Sequence, residues 1–178
     1  MDVQNFFLVN FFSTSSNSDY GLLTLQHEIA HAIGFNSATF DNKMILDGSG
    51  NQVKSVKEIK QGDKVIGYGF TGGNANKVYQ KELGGFPNHT SVPLENRNDS
   101  GHWNEWLFPD SSEDLFLFGE DELMTTSTPP GEDDTILSKL TLGAFEDLGF
   151  IVDESKARNT EVFQGSILLD SPLDNINY

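Results

Sequence analysis

The sequence predicts an α+β fold. Three helical stretches, each stopped by glycine, alternate with short strand-like runs, and a long stretch rich in Pro, Asn, Asp and Ser covers residues 86–135. The length of 178 residues, with 37% hydrophobic side chains, suits one domain with a sizeable core, since disorder at this net charge would need fewer apolar residues. No repeat and no linker divides the chain.

The elements follow in order. Residues 3–12 read as a buried strand, followed by a Ser/Asn loop from Ser13 to Ser18. A first helix begins at Asp19, a good N-cap residue, and ends at Gly34, where glycine can take the left-handed cap conformation. Residues 41–73 read as loops and short strands, with Lys64 to Tyr68 as one strand. A second helix is expected from Asn74 to Leu83, stopped by Gly84-Gly85. Residues 86–135 read as mostly irregular, and long loops inside a compact domain are usually functional. A third helix spans Ser138 to Leu148 and stops at Gly149; it places Leu140, Ala144 and Leu148 on one stripe with Phe145 beside it, a core helix. Phe150-Ile151-Val152 reads as a short strand or extended tail.

Composition narrows the function. With Lys+Arg 11 against Asp+Glu 27, the formal net charge is −16. Such a surface repels nucleic acid and anionic lipid, so neither is an expected partner. The chain has no cysteine, so a metal would have to be held by His, Asp or Glu. No apolar run reaches the length of a membrane span. The start Met1-Asp2-Val3-Gln4 lacks the basic region of a signal peptide.

The first helix carries the chemistry. At about 100° per residue, with His27 at zero, His31 falls near 40° and Glu28 near 100°. Leu22, Leu25, Ile29, Ala32 and Ile33 fall between roughly 140° and 240°, which predicts a buried apolar face opposite the imidazoles. Two His one turn apart can bind one zinc ion, and a Glu displaced sideways can hold a water beside the metal's open position. Glu28 can then take a proton from that water and later pass it to a leaving amine. The bland alternative, two surface His by coincidence, leaves the apolar face and the glycine stop unexplained.

A catalytic zinc needs a third protein ligand. Three residues after Gly34, where a compact HExxHxxGxxH pattern would place it, stands Ser37, which cannot replace an imidazole. The remaining histidines are His89, in the turn-like Pro87 to Thr90, and His102, in Ser100-Gly101-His102-Trp103-Asn104-Glu105. Beside His102, an aromatic neighbour and a following carboxylate could orient a ligand. Glu105 itself competes, since Asn104-Glu105 resembles the downstream Asn-Glu of thermolysin-like peptidases, although the next carboxylate, Asp110, is one residue late.

The motif HEIAHAIGF (27–35) resembles that of the leishmanolysin-like zinc metallopeptidases, a branch of the metzincins in which an insertion separates the glycine from the third histidine. Further similar features follow in order: FTGGNA (70–75), SVPLEN (91–96), SGHWNE (100–105), DELMT (121–125) and LSKLTLGAFEDLGF (137–150). The resemblance covers about residues 20–153. It implies that His27, His31 and His102 bind one catalytic Zn2+, that Glu28 is the general base and acid, and that Met124 is the methionine of a turn beneath the metal. It implies a metzincin-like catalytic domain acting on protein or peptide substrates, secreted or extracellular.

The resemblance also implies a reduced N-terminal part. A sheet precedes the zinc helix in metzincins, whereas 26 residues precede His27 here, enough for about one strand. On this reading the chain is a single partial catalytic domain over 1–178, apparently N-terminally truncated. Residues 1–19 are a remnant of the N-terminal sheet, 20–34 the zinc-binding helix and 35–153 a C-terminal subdomain. The expected function is that of a zinc endopeptidase. The alternatives are an inactive zinc-binding module and a Ca2+-dependent acidic binding or cell-adhesion domain.

Several features admit plainer readings. Gly72-Gly73 could cradle an anion, or form a turn entering a helix. Trp103 and Trp106 could line a substrate cleft or pack in the core. Glu120-Asp121-Glu122 and Glu132-Asp133-Asp134 could bind calcium, but neither has EF-hand spacing, and a solvated loop is the plainer expectation. Asn88-His89-Thr90 and Asn98-Asp99-Ser100 fit the glycosylation acceptor pattern.

Overall fold

The computed structural model describes residues 20–81, 90–95, 101–104, 122–126 and 137–157. The first element is helix α1, Tyr20–Ile33. It ends where expected, because Gly34 takes a φ of +133°, which L side chains rarely adopt. The chain turns there, and the Phe35 amide donates to the Ala30 carbonyl at 2.9 Å. A short helix α2, Ser37–Asn42, follows; the Asn36 side chain caps it by accepting from the Thr39 amide. The sequence reading contained no element here, since six residues are too few for a periodic signal.

Two antiparallel units come next. β1 (Met44–Leu46) pairs with β2 (Gln52–Lys54), and the Asp47 carboxylate closes their loop by accepting from the amides of Ser49 and Asn51, both at 2.9 Å. These amides hold the exposed Asp47 carboxyl below its ordinary range, that of Asn51 most strongly. β3 (Val56–Gln61) and β4 (Lys64–Phe70) form a hairpin. Its two-residue turn is Gly62-Asp63, with Gly62 at φ +60°, as tight hairpin turns favour. The strand expected over 64–68 is therefore real and two residues longer. β5 (Val92–Leu94) pairs with β4, with Phe70 opposite Val92. β5 corrects part of the irregular reading of 86–135: three residues with a central Pro do not announce a strand.

Helix α3, Gly73–Lys81, begins one residue before the expected Asn74. Helix α4, Lys139–Asp147, starts after the N-cap Ser138 and closes at Gly149 with φ +97°. The two helices pack closely: a Cβ on Gly143 would lie 3.0–3.1 Å from backbone atoms of Asn74 and Ala75. Phe150 to Val152 forms no strand; the Phe150 ring packs edge-on against Phe145 at 5.6 Å. A single 3₁₀ turn, Glu154–Lys156, completes the described chain. The result is a mixture of helix and sheet.

One core joins these elements. Phe35, Phe40, Phe70, Tyr79, Trp103, Leu140 and Phe145 are all essentially inaccessible to solvent. The Phe35 ring stands edge-on to Phe40 and Trp103, each at 5.0 Å. These contacts bind the end of α1 to α2 and to the segment carrying His102, and Phe40 in turn meets Phe70 of β4 at 4.9 Å.

The face of α1 that packs is not the predicted one. Leu23, Gln26 and Ala30 are buried, whereas Leu25 is 50% exposed, Ala32 is exposed, and Ile29 and Ile33 are half-buried. On the projection used above, Leu23, Gln26 and Ala30 lie at roughly 260–320°, beside the histidines. Periodicity shows which residues share a face, but the position of the neighbours decides which face is covered. The strand over 3–12, Asp19, Gly84-Gly85, the asparagines of both glycosylation patterns and the acidic run 132–134 lie outside the described residues.

The paired glycines before α3 also have an explanation. The Asp147 carboxylate occupies the space over Gly72 and accepts from the amides of Asn74 and Ala75, each at 3.0 Å, while Gly73 lies against the backbone of Asp47 and Gly48. The anion at this helix N-terminus is thus the chain's own side chain. Burial pushes the Asp147 carboxyl up to about 6, against the pull of those amides. The folded state then holds a proton that the unfolded chain has released between 3.8 and about 6, so this group's contribution to stability falls as pH rises through that window. Urea-unfolding midpoints should show the wild type losing stability relative to Asp147→Asn across the window, with a constant difference above it. Parallel pH profiles for the two proteins would contradict the assignment.

Candidate metal centre

Two backbone segments deliver three imidazoles to one point. His27 and His31 stand one turn apart on α1. His102 arrives on an extension of the sheet: Leu94 bridges Trp103, and Trp103 bridges Thr125. The backbone bonds on either side of His102 fix its place. Its carbonyl accepts from Glu95 at 3.0 Å, and the Trp103 amide donates to the Met124 carbonyl at 2.8 Å. Gly101 allows the close approach, since a Cβ there would lie 3.4 Å from the Asn36 Cα and 3.6 Å from the His31 ring.

The Nε2 atoms of His27, His31 and His102 lie 2.9, 3.0 and 3.1 Å apart. The opposite ring nitrogens decide what this means. His27 Nδ1 is 2.6 Å from the Leu123 carbonyl, and His31 Nδ1 is 2.7 Å from the Phe35 carbonyl. A carbonyl can only accept, so each Nδ1 must carry the proton. Each Nε2 is then a bare acceptor, and two bare acceptors 2.9 Å apart repel each other unless a cation lies between them. Three imidazole nitrogens this close can share one ion at the zinc–nitrogen distance of about 2.0–2.1 Å. The donor set therefore fits zinc, and the carbonyl partners are of the kind that orient metal-binding histidines. Among the described residues this is the one group of three His, Asp or Glu side chains placed to hold a metal.

The local electrostatics agree. Burial lowers the His27 pKa below 6.5, with His31 and His102 acting the same way and the bond to Leu123 opposing them. The imidazole is thus kept in the neutral form that a metal requires. Glu28 is exposed beside these rings.

Met124 is fully buried, in the turn whose preceding carbonyl, that of Leu123, holds His27. Trp103 is also fully buried and donates through its indole to Thr141 at 2.9 Å, which favours the core reading over a cleft lining. His89, Glu105, Trp106, Asp110, Glu120 and Asp121 lie outside the described residues.

Glu122 corrects the solvated-loop reading of 120–122. It is 0% exposed, and its carboxylate accepts from the Met124 amide at 2.6 Å, Ser138 Oγ at 2.7 Å and Thr141 Oγ1 at 2.5 Å. Burial pushes this carboxyl above its ordinary range and these bonds oppose the shift. Sequence reasoning missed it. The available signal was Ser138 and Thr141, a cap-like pair of hydroxyls opening a core helix.

A family model described as Leishmanolysin matches residues 8–164. The chain belongs to the leishmanolysin family. This is a family of zinc-dependent metallopeptidases, and the ordered motifs that carried the resemblance fall inside the matched span. Comparisons with curated proteins and with solved structures returned no match.

Because the folded state disfavours protonated His27, stability from this group rises with pH through the interval just below 6.5. An NMR titration of the metal-free protein should place the His27 midpoint below that value. A midpoint at or above it would mean that the ring is not held as described.

Proposed function

We propose that this chain is a zinc-dependent endopeptidase centre, with His27, His31 and His102 as the metal ligands and Glu28 as the general base. The observation that carries the reading is the triangle of acceptor nitrogens, 2.9–3.1 Å on a side, with Nδ1 protons assigned to backbone carbonyls on two of its three rings. Membership of the leishmanolysin family supports protein or peptide substrates and a site of action outside the cell or at its surface.

When bound, zinc supplies Lewis acidity toward a peptide carbonyl and makes a water acidic enough to lose its proton near neutral pH. The protein's part is to hold and move that proton. Glu28 stands on the helix beside the two ligands, exposed to whatever enters the site. Its carboxylate accepts a proton from the attacking water and delivers it to the amine that leaves. Leu123 and Phe35 keep the tautomers of His27 and His31 correct. Met124 provides an apolar, fully buried support in the turn next to the Leu123 carbonyl. Residues 20–34 then act as the zinc-binding helix, and the segment after them supplies His102 and the Met124 turn.

The test separates binding from turnover. Wild-type protein should hold one zinc per chain and cleave a peptide substrate, losing activity to a chelator and regaining it with zinc. Glu28→Gln should keep the zinc and lower turnover by about 10²–10⁴-fold, the usual contribution of a general base. His102→Ala should lose tight zinc binding; stoichiometric zinc in that variant would falsify the ligand assignment. Bound zinc without cleavage in the wild type would identify a zinc-binding module that is not a peptidase.

A further inference from the structure

We infer that Glu122 is a positioning residue for the metal centre, a buried carboxylate that sets the tautomer and orientation of His27 through the turn it holds. The inference rests on the zinc reading above and adds a residue to it.

The path is short and made of consecutive hydrogen bonds. His27 Nδ1 donates to the Leu123 carbonyl at 2.6 Å. That carbonyl belongs to a turn closed on both sides by Glu122. The Glu122 carboxylate accepts from the Met124 amide at 2.6 Å. The Glu122 carbonyl accepts from the Thr125 amide at 3.1 Å and from Thr125 Oγ1 at 2.8 Å. The peptide carrying the Leu123 carbonyl is the one whose amide end is Met124. Fixing that amide from one side therefore fixes the direction of the carbonyl on the other, because the peptide group is planar.

The carboxylate is anchored in turn. Ser138 Oγ and Thr141 Oγ1 both donate to its Oε1, and Ser138 also offers its amide at 3.4 Å. Thr141 Oγ1 accepts from the Trp103 indole, so its own proton is left for Glu122. Trp103 follows His102 in the chain and donates its amide to the Met124 carbonyl. One buried carboxylate thus links helix α4, the 122–125 turn and the segment carrying His102. Among the described residues no cation pairs with it. A buried carboxylate met among the described residues by neutral donors alone is costly to keep for stability; what its hydrogen bonds supply is the geometry of the turn.

An amide at this position cannot reproduce the arrangement. If its oxygen faces the Met124 amide, its NH2 meets two hydroxyls that have been donating; if reversed, NH2 faces N–H. Glu122→Gln should therefore stay folded yet bind zinc 10–100-fold more weakly in competition with a chromogenic chelator, the usual effect of losing a group that orients a metal ligand. In the metal-free protein, its His27 Nδ1–H signal should shift or be lost to exchange. Ile45→Ala, a core loss on β1, should lower the melting temperature without moving either readout. A folded Glu122→Gln protein with wild-type zinc affinity and an unchanged His27 signal overturns the inference. If that variant does not fold, Ser138→Ala and Thr141→Val each remove one donor to the carboxylate. A several-fold loss of zinc affinity in both supports the inference, and wild-type affinity in both overturns it. A wild-type protein that takes no zinc would defeat the metal reading, and the metal-free His27 signal would still decide the role of Glu122.

Discussion

The site depends on the fate of two imidazole protons. Backbone carbonyls at Leu123 and Phe35 accept the Nδ1 protons of His27 and His31, and this forces bare Nε2 lone pairs toward each other. An unfolded chain would never choose that arrangement, because acceptors repel. The folded protein holds it because each carbonyl is fixed by structure the histidines do not control. Phe35 follows the left-handed Gly34 and is locked in the core; Leu123 sits in a turn closed by a buried carboxylate. The cost of crowding the acceptors is offset by the rest of the fold.

The core and the site are therefore one construction. The Phe35 ring packs on Trp103 and Phe40, while its carbonyl serves His31. Trp103 fills the centre of the core, while its amide meets the Met124 carbonyl and its indole meets Thr141. A residue that anchors the core with its side chain and aims a histidine with its backbone transmits little motion. Metal centres need that stiffness, since ligands misplaced by fractions of an ångström lose affinity.

Two buried or half-buried carboxylates, Glu122 and Asp147, show the same economy of charge in a chain of net charge −16. Both are met by N–H or O–H donors, with no cationic partner among the described residues. Asp147 caps helix α3 from the end of α4, and Glu122 ties the start of α4 to the turn. Helix α4 is thus fastened at both ends to elements distant in sequence, and the Gly143 contact with Ala75 closes the gap between.

The sequence alone determined the local pieces. The stops at Gly34 and Gly149, the strand beginning at Lys64 and the pairing of His27 with His31 on one helix follow from rotation per residue, strand propensity and left-handed glycine, all of which act over a few residues. The ordered motifs also carried the family. The tertiary structure decided what depends on contact across the chain. It brought His102 to the other two histidines, and it turned the apolar stripe of α1 partly outward, because the covered face is set by its neighbours. It also made Glu122 a buried acceptor where an acidic run suggests solvent. In each case the deciding partner lies far away in sequence, beyond the reach of a pattern that only reports spacing along one element.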